Sequence, residues 1–123
     1  MAAGDTHVIE VQIFGTKKSA DTRKALRFFA ERRVKTHFVD VQERAPAPGE
    51  LRRFVERFGV RSLIDAQSRR FAELGLAQAV RSNDWWVQQL SEEPLLLRFP
   101  LVRWGRELTV GHDEAAWKAW LSR

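Results

Sequence analysis

The sequence predicts an α/β domain whose elements follow the order β-α-β, a helical insert, and then β-β-α. Two segments, Val8–Phe14 and Thr36–Val41, alternate apolar and polar residues, as half-buried strands do. An arginine- and alanine-rich segment that begins near Ala20 lies between them and has the composition of a helix. Because this crossover helix joins the two strands, we expect them to be parallel and connected in the right-handed sense.

The central part of the chain is predicted to be a helical insert that covers about residues 48–93. Pro48 suits the first turn of a helix, because its missing N–H has no partner there anyway, and Gly59 is typical of a helix end. Short helices are expected from Val60 to Leu90, the last of them capped near Ser82. The first helix of the insert shows apolar residues at helical spacing, namely Leu51, Phe54, Val55 and Phe58.

The C-terminal part is predicted to form a hairpin and a last helix. Leu95–Trp104 and Glu107–Val110 are expected to be its strands, joined by a turn around Gly105, and Asp113 is expected to cap the helix. The four strands would make one mixed sheet. No repeat or linker divides the chain, so residues 1–123 are predicted to be a single domain.

Composition excludes several classes of protein. The chain has 123 residues, 44% of them hydrophobic, and no apolar run exceeds three residues, so no membrane span is expected. The first residues lack the charged and apolar regions of a signal peptide. The absence of cysteine excludes a disulfide scaffold and thiolate metal sites. These features predict a cytoplasmic protein.

The net charge of +5 arises from sixteen arginines and five lysines against sixteen acidic residues. The basic residues are scattered and interleaved with acidic ones, which favours solvated helix faces, and no direct contact with nucleic acid is expected. The three histidines, His7, His37 and His112, have no metal-ligand spacing, so no metal site is expected.

The segment Ile13–Ala25 contains the candidate reactive site. A strand, a short loop and a helix N-terminus are the usual setting of a low-pKa cysteine, because N–H groups at the helix end stabilise a thiolate. Ser19 occupies that place, and a serine hydroxyl needs an adjacent base to ionise near neutral pH. Ser19 is therefore either a replaced nucleophile or a plain helix cap. The preceding Thr16, Lys17 and Lys18 form either a solvated turn or an anion-binding loop.

The same residues carry a family resemblance. Phe14, Gly15, Ser19 and the following basic-basic-alanine and aromatic pattern (Arg23, Lys24, Ala25, Phe28 and Phe29) resemble the opening of the ArsC/Spx/YffB family, which contains arsenate reductases, Spx regulators and small YffB reductase-like proteins. Further matching stretches follow in order: Phe71–Leu76, Glu93–Val102 and Val110–Gly111. The resemblance covers nearly all of Val8 to Leu121. It implies a thioredoxin-like core that carries a helical insertion.

The resemblance also implies site residues. Ser19 stands at the family's nucleophile position, where cysteine is expected, and the ligand-binding site would comprise Thr16, Lys17, Lys18, Arg23, Phe99 and Pro100. Pro100 would follow a cis peptide bond and pack beside the loop. No bound cofactor is implied, and glutathione or another small thiol would be the co-substrate.

The arginines that bind oxyanions in arsenate reductases are absent from the aligned positions, which hold Phe99, Asp65 and Gly111 here. Arg98 precedes the first of these, and strand alternation would direct it to the opposite face. The pattern therefore lies nearer to the YffB and Spx branches than to the arsenate reductases.

Two functions follow from the resemblance. The first is a thiol-dependent reductase that is inactive because Ser19 stands in place of a cysteine or selenocysteine. The alternative is a regulator like Spx that binds the α-subunit of RNA polymerase through the helix Glu50–Phe58 and the central loop. Whether the protein is an enzyme therefore stays open, and the native codon at position 19 discriminates between the two functions.

Overall fold

A computed structural model describes residues 10–123. Val8 and Ile9, which the sequence assigns to the first strand, and His7 lie outside the described residues. The elements, in chain order, are β1 (Glu10–Gly15), α1 (Ala20–Glu31), β2 (Lys35–Asp40), α2 (Pro48–Phe58), α3 (Val60–Leu63), α4 (Arg69–Glu73), α5 (Asn83–Glu92), a short 3-10 helix (Pro94–Leu96), β3 (Leu101–Trp104), β4 (Glu107–Val110) and α6 (Glu114–Leu121).

The four strands form one mixed sheet in the order β2-β1-β3-β4. β1 and β2 are parallel, with Phe14 opposite Val39. β3 is antiparallel to both β1 and β4, and Leu101 lies opposite Phe14 on one side and Val110 on the other. The predicted element order and the mixed four-stranded sheet are thereby confirmed.

Helices cover both faces of the sheet, and each face has its own core. On one face α1 and α6 bury Phe29 and Trp117 against Val11 and Ile13 of β1. On the other face the helices of the insert pack against Phe14. This division follows from the alternation of side chains along a strand, which sends neighbouring residues of β1 into different cores.

Local sequence signals explain where several helices begin. Ser82 accepts a hydrogen bond from the Trp85 N–H, and Asp113 accepts one from the Ala116 N–H. Glu50, on the first turn of α2, accepts from the Ala47 N–H. In the part of the chain that the structure describes, no helix is both long and apolar enough to cross a membrane.

The prediction that the first strand of the C-terminal hairpin begins at Leu95 is wrong, because residues 95–100 do not form a strand. Pro94 begins the 3-10 helix, Leu97 forms an isolated bridge with Ile64, and regular pairing starts only at Leu101. Pro100 has no N–H to donate to a ladder. The apolar run there covers the core of the insert instead, with Leu96 and Leu97 buried.

Candidate functional site

Ser19 is the residue that caps α1. It adopts an extended conformation directly before Ala20, and its hydroxyl Oγ accepts a hydrogen bond of 3.1 Å from the Thr22 N–H. The predicted place of Ser19 at the N-terminus of the first helix is thereby confirmed. Within the described residues no histidine or carboxylate side chain hydrogen-bonds this hydroxyl, so no general base is in place to activate it.

The loop between β1 and α1 is held by its own residues. Thr16 is buried, and both its carbonyl oxygen and its side-chain Oγ1 accept from the Ser19 N–H at 3.2 Å. The next two N–H groups, those of Ala20 and Asp21, donate to no acceptor in the described part of the chain. Such free donors at the start of a helix are suited to bind an anion.

Basic side chains surround this loop. Lys17 and Lys18 are exposed and form no ion pair with any described residue. Arg23, one turn into α1, donates from Nη1 to the Lys17 carbonyl oxygen at 2.7 Å. Three positive charges therefore lie at or beside the free N–H groups, and only Asp21, which is 3.9 Å from Lys24, adds a carboxylate to this first turn.

Gly15 allows α1 to approach β1 closely. A Cβ atom on Gly15 would lie 2.4 Å from Oγ1 and 2.6 Å from Cγ2 of Thr22, a residue with no exposed surface. The Thr22 hydroxyl makes no hydrogen bond with the described residues. This contact fixes the start of α1, and with it Ser19, against the end of the central strand.

Phe99 and Pro100 lie at the same end of the sheet as the loop. Leu101 pairs with Phe14, so the residue before Leu101 falls beside the Gly15 end of β1. The Phe99–Pro100 peptide bond is cis, as the resemblance implies, and the Pro100 carbonyl oxygen accepts from the Gly111 N–H at 2.8 Å. Direct contact between Ser19 and Pro100 stays a prediction.

Strand alternation does not direct Arg98 to the opposite face, because residue 98 is not in a strand. The side chain of Arg98 is exposed, and its methylenes lie over Gly111, where an added Cβ would be 3.5 Å from its Cδ. The Arg98 N–H donates to the Leu63 carbonyl oxygen at 2.7 Å. Strand alternation in the sequence set Arg98 aside, and the placement of this residue depends instead on an irregular segment.

The aligned positions that lack arginine do come together. Phe99 precedes Pro100, Gly111 hydrogen-bonds Pro100, and the Asp65 N–H donates to the Leu96 carbonyl oxygen at 2.8 Å. All three therefore lie on or beside segment 96–100. Phe99 supplies an aromatic ring, Asp65 supplies a carboxylate, and Gly111 has no side chain. These positions therefore do not form a cluster of three cations.

Other polar features lie outside this site. Among residues 10–123 there is no group of three histidine, aspartate or glutamate side chains arranged to hold a metal ion. The Arg70 guanidinium, on α4, donates to the Glu93 carboxylate at the end of α5, and this hydrogen bond lowers the pKa of Glu93. That pair joins two helices of the insert.

Comparison with known proteins places this arrangement in a family. The model of the ArsC family matches residues 14–120, which is most of the chain. The chain belongs to the ArsC family. The match runs from β1 into α6, and so includes the Ser19 loop, the helical insert and the Pro100 segment.

Named relatives of this ArsC-family chain agree with its fold. Proteins named arsenate reductase from Neisseria meningitidis serogroups A and B are each 26% identical over 105 residues, covering 83% of this chain and 90% of theirs. The solved arsenate reductase of Vibrio cholerae is 21% identical with a TM-score of 0.78, covering 89% of this chain and 95% of its own. A solved protein named YffB is also 21% identical, with a TM-score of 0.80, covering 89% and 96%.

These likenesses show the thioredoxin-like fold of arsenate reductases. The sequence has no cysteine at position 19, where the resemblance places the family's nucleophile, or anywhere else.

Proposed function

We propose that this ArsC-family protein belongs to the thiol-dependent reductase branch, that it binds glutathione or a similar small anionic thiol at the Ser19 loop, and that it catalyses no reduction with Ser19 in place of a cysteine. The observation that supports the proposal is the position of Ser19. It lies at the helix N-terminus where the family's nucleophile is expected, flanked by free N–H groups and by Lys17 and Lys18.

The lack of reduction follows from the chemistry of oxygen. Thiol-disulfide exchange proceeds through a mixed disulfide, which requires a sulfur atom on the protein. Ser19 offers a hydroxyl whose oxygen is engaged by the Thr22 N–H, and no resolving cysteine exists elsewhere. We therefore expect no turnover with either glutathione or arsenate above the rate in buffer. Measured turnover by the purified Ser19 protein would contradict this part of the proposal.

The binding part rests on groups that need no sulfur. The N–H groups of Ala20 and Asp21, the two exposed lysines and the fixed Arg23 all remain available to a carboxylate of the ligand. Because these contacts are exposed and no covalent bond supplements them, we expect an affinity of about 1 mM, equivalent to roughly −4 kcal/mol.

Titration of glutathione into isotope-labelled protein tests this binding. We expect chemical-shift changes at residues 15–22 and near Pro100, and a Lys17→Gln, Lys18→Gln double variant should weaken them severalfold. Lys35→Gln is a matched control, since it removes a cation at the opposite end of β1, where Lys35 pairs with Glu10 at 3.4 Å. No shift at the loop would refute the retained site.

A Ser19→Cys variant tests whether the loop is tuned for thiol chemistry. The helix N-terminus and the nearby cations should lower the pKa of the new thiol, so that it alkylates faster than free cysteine at neutral pH. Ala66→Cys is a suitable control, because residue 66 is exposed and lies outside every helix and strand. Equal rates for the two thiols would remove the reductase lineage from the proposal.

The regulatory alternative, contact with the α-subunit of RNA polymerase, stays a prediction, since none of the relatives named above has a regulator's name. Specific binding of that subunit, together with no chemical-shift change at the Ser19 loop on addition of glutathione, would favour the regulatory function.

A further inference from the structure

A second basic site lies at the other end of the sheet from Ser19. A cavity of about 590 Å³ opens between α2 and the β3–β4 hairpin, and four arginines line it: Arg53, Arg57, Arg103 and Arg106. Its remaining lining includes Glu56, Gly105 and Leu108. The sequence suggested only scattered, solvated arginines. The fold gathers these four because the hairpin packs beside α2.

The cavity and the Ser19 loop lie at opposite ends of the sheet. Arg103 pairs with Gln12, three residues before the end of β1 at Gly15, and the hairpin turn lies one residue beyond Trp104. At about 3.4 Å per residue, the strand alone separates the cavity from the loop by roughly 10 Å. A ligand in the cavity would therefore not contact Ser19.

The four arginines have no carboxylate partner within 4 Å among the described residues, and two of the three acids near them pair with other cations. Glu107, beside Arg106, pairs with Arg123 at 3.1 Å. Glu10, which lies near Arg103 in an adjoining cavity, pairs with Lys35. Glu56 lines the cavity but forms no ion pair within 4 Å with any of its arginines. The cavity therefore carries an uncompensated positive charge of about three.

Two further features make the site more than a charged surface. Arg103 is half-buried, and its Nε donates to the Gly105 carbonyl oxygen at 2.9 Å, which holds the guanidinium in place at the turn. Leu108, which is buried, also lines the cavity and supplies apolar surface beside the arginines. A fixed cation over an apolar surface loses less conformational freedom on binding than a free side chain does.

We propose that this cavity, named here the arginine groove, binds a small organic phosphate that carries at least two phosphoryl groups. Guanidinium groups bind phosphate oxygens in bidentate fashion, and a net positive charge of about three exceeds the charge of a single phosphate group, about −2, so a ligand with two phosphoryl groups matches the groove better. The volume lies within the range of small-molecule sites. Glu56 is placed to accept a hydrogen bond from a hydroxyl or amino group of the same ligand.

A small ligand fits better than a nucleic acid strand. A strand needs a basic track that continues along the surface. Here the adjoining cavity is lined by Glu10, Gln12 and His37 together with Arg103 and Gly105, so the row of arginines ends at Arg103. On this side of the groove the basic track therefore stops.

Calorimetric titration with adenosine diphosphate and with inorganic tripolyphosphate, at low and at physiological salt, tests the inference. We expect one site per chain, and Arg53→Gln and Arg106→Gln should each weaken binding about tenfold, since each removes a charge-assisted contact. Arg61→Gln, an exposed arginine of α3 outside the groove, should leave the affinity within twofold. Glu56→Gln should tighten the binding of tripolyphosphate severalfold, because Glu56 is the one carboxylate among the described residues that line the groove and this probe offers no hydroxyl or amino group to it.

Several results would overturn the inference. They are absence of binding at 10 mM probe in low salt, equal weakening by Arg61→Gln, or a probe that binds at the Ser19 loop and is lost in the Lys17→Gln, Lys18→Gln variant. Much tighter binding of a single-stranded oligonucleotide through the same arginines would replace the small ligand by nucleic acid. Circular dichroism of each variant checks folding. This outcome does not depend on the proposed glutathione site, because the Lys17→Gln, Lys18→Gln variant tests that site separately.

Discussion

Replacing Gly15 by alanine should destabilise the protein, because the added methyl group has no space. Its Cβ would lie 2.4 Å from Oγ1, 2.6 Å from Cγ2 and 3.0 Å from Cβ of Thr22, whereas ordinary van der Waals contact begins at about 3.4 Å. Thr22 is fully buried on α1, so the strand and the helix must move apart. Such overpacking costs about 1–3 kcal/mol, and we expect about 2 kcal/mol here.

Urea unfolding measures this cost. For a domain of this size, 2 kcal/mol lowers the midpoint by about 1 M at an m-value of about 2 kcal/mol/M. Gly49→Ala is the matched control, because Gly49 lies in α2 with no atom within 4 Å of an added Cβ, and we expect its midpoint to be unchanged or slightly raised.

A double-mutant cycle identifies the contact. Thr22→Ala removes Oγ1 and Cγ2, the two atoms that clash most, so it should recover about 1 kcal/mol in the Gly15→Ala background. Thr22→Ala alone should change the stability little, since the loss of a buried methyl group is offset by the loss of a hydroxyl that lacks a hydrogen bond. Additive free energies, or a Gly15→Ala variant as stable as the wild type, would refute the reasoning.

Two further predictions concern buried and paired polar groups. Thr109→Val should cost about 1–3 kcal/mol, because it leaves the buried indole N–H of Trp117 without the Thr109 oxygen that accepts from it at 2.8 Å; Thr109→Ser should retain most of the stability, and equal unfolding midpoints for the two variants would contradict this. Arg70 lowers the pKa of Glu93 in the folded protein below its ordinary value of 4.5, so the stabilisation is fully present above that value and is lost as pH falls through the lowered pKa. The difference in free energy of unfolding between the wild type and Glu93→Gln should therefore shrink as the pH is lowered below 4.5, and a constant difference would contradict it.

Local patterns predict the regular elements of this fold well. Alternation in β1 and β2 and the polar caps at Ser82 and Asp113 are properties of a few neighbouring residues, and the structure places them as the sequence indicates. Residues 95–100 could not be predicted in the same way. An apolar run is compatible with a strand or with an irregular segment that covers a core, and tertiary contacts with Ile64 decide between them.

The candidate site, too, could be predicted from the sequence only in part. The order of β1, loop and α1 predicts where Ser19 lies, but the contact between Gly15 and Thr22 depends on the exact distance between a strand and a helix. The arginine groove was not predictable, since Arg53 and Arg103 are fifty positions apart in the sequence and only the packing of α2 beside the hairpin brings them together. Resemblance supplied the cis bond before Pro100, for which the local sequence carries no signal.

The geometry of Ser19 joins the two interpretations that the sequence left open. A serine oxygen is a good acceptor for an N–H group at a helix start, whereas a thiol sulfur is a weak one. The bond from the Thr22 N–H therefore stabilises α1 more with serine than with cysteine, by about 1 kcal/mol at most. A cysteine at this position would give up that cap for a reactive thiol, and this chain has the cap without the thiol. In the Ser19→Cys variant, the free energy of unfolding measures the loss of the cap and the alkylation rate measures the reactivity of the thiol. A less stable protein whose thiol reacts quickly indicates a loop still arranged around a nucleophile. A less stable protein whose thiol reacts slowly leaves Ser19 with a structural role alone.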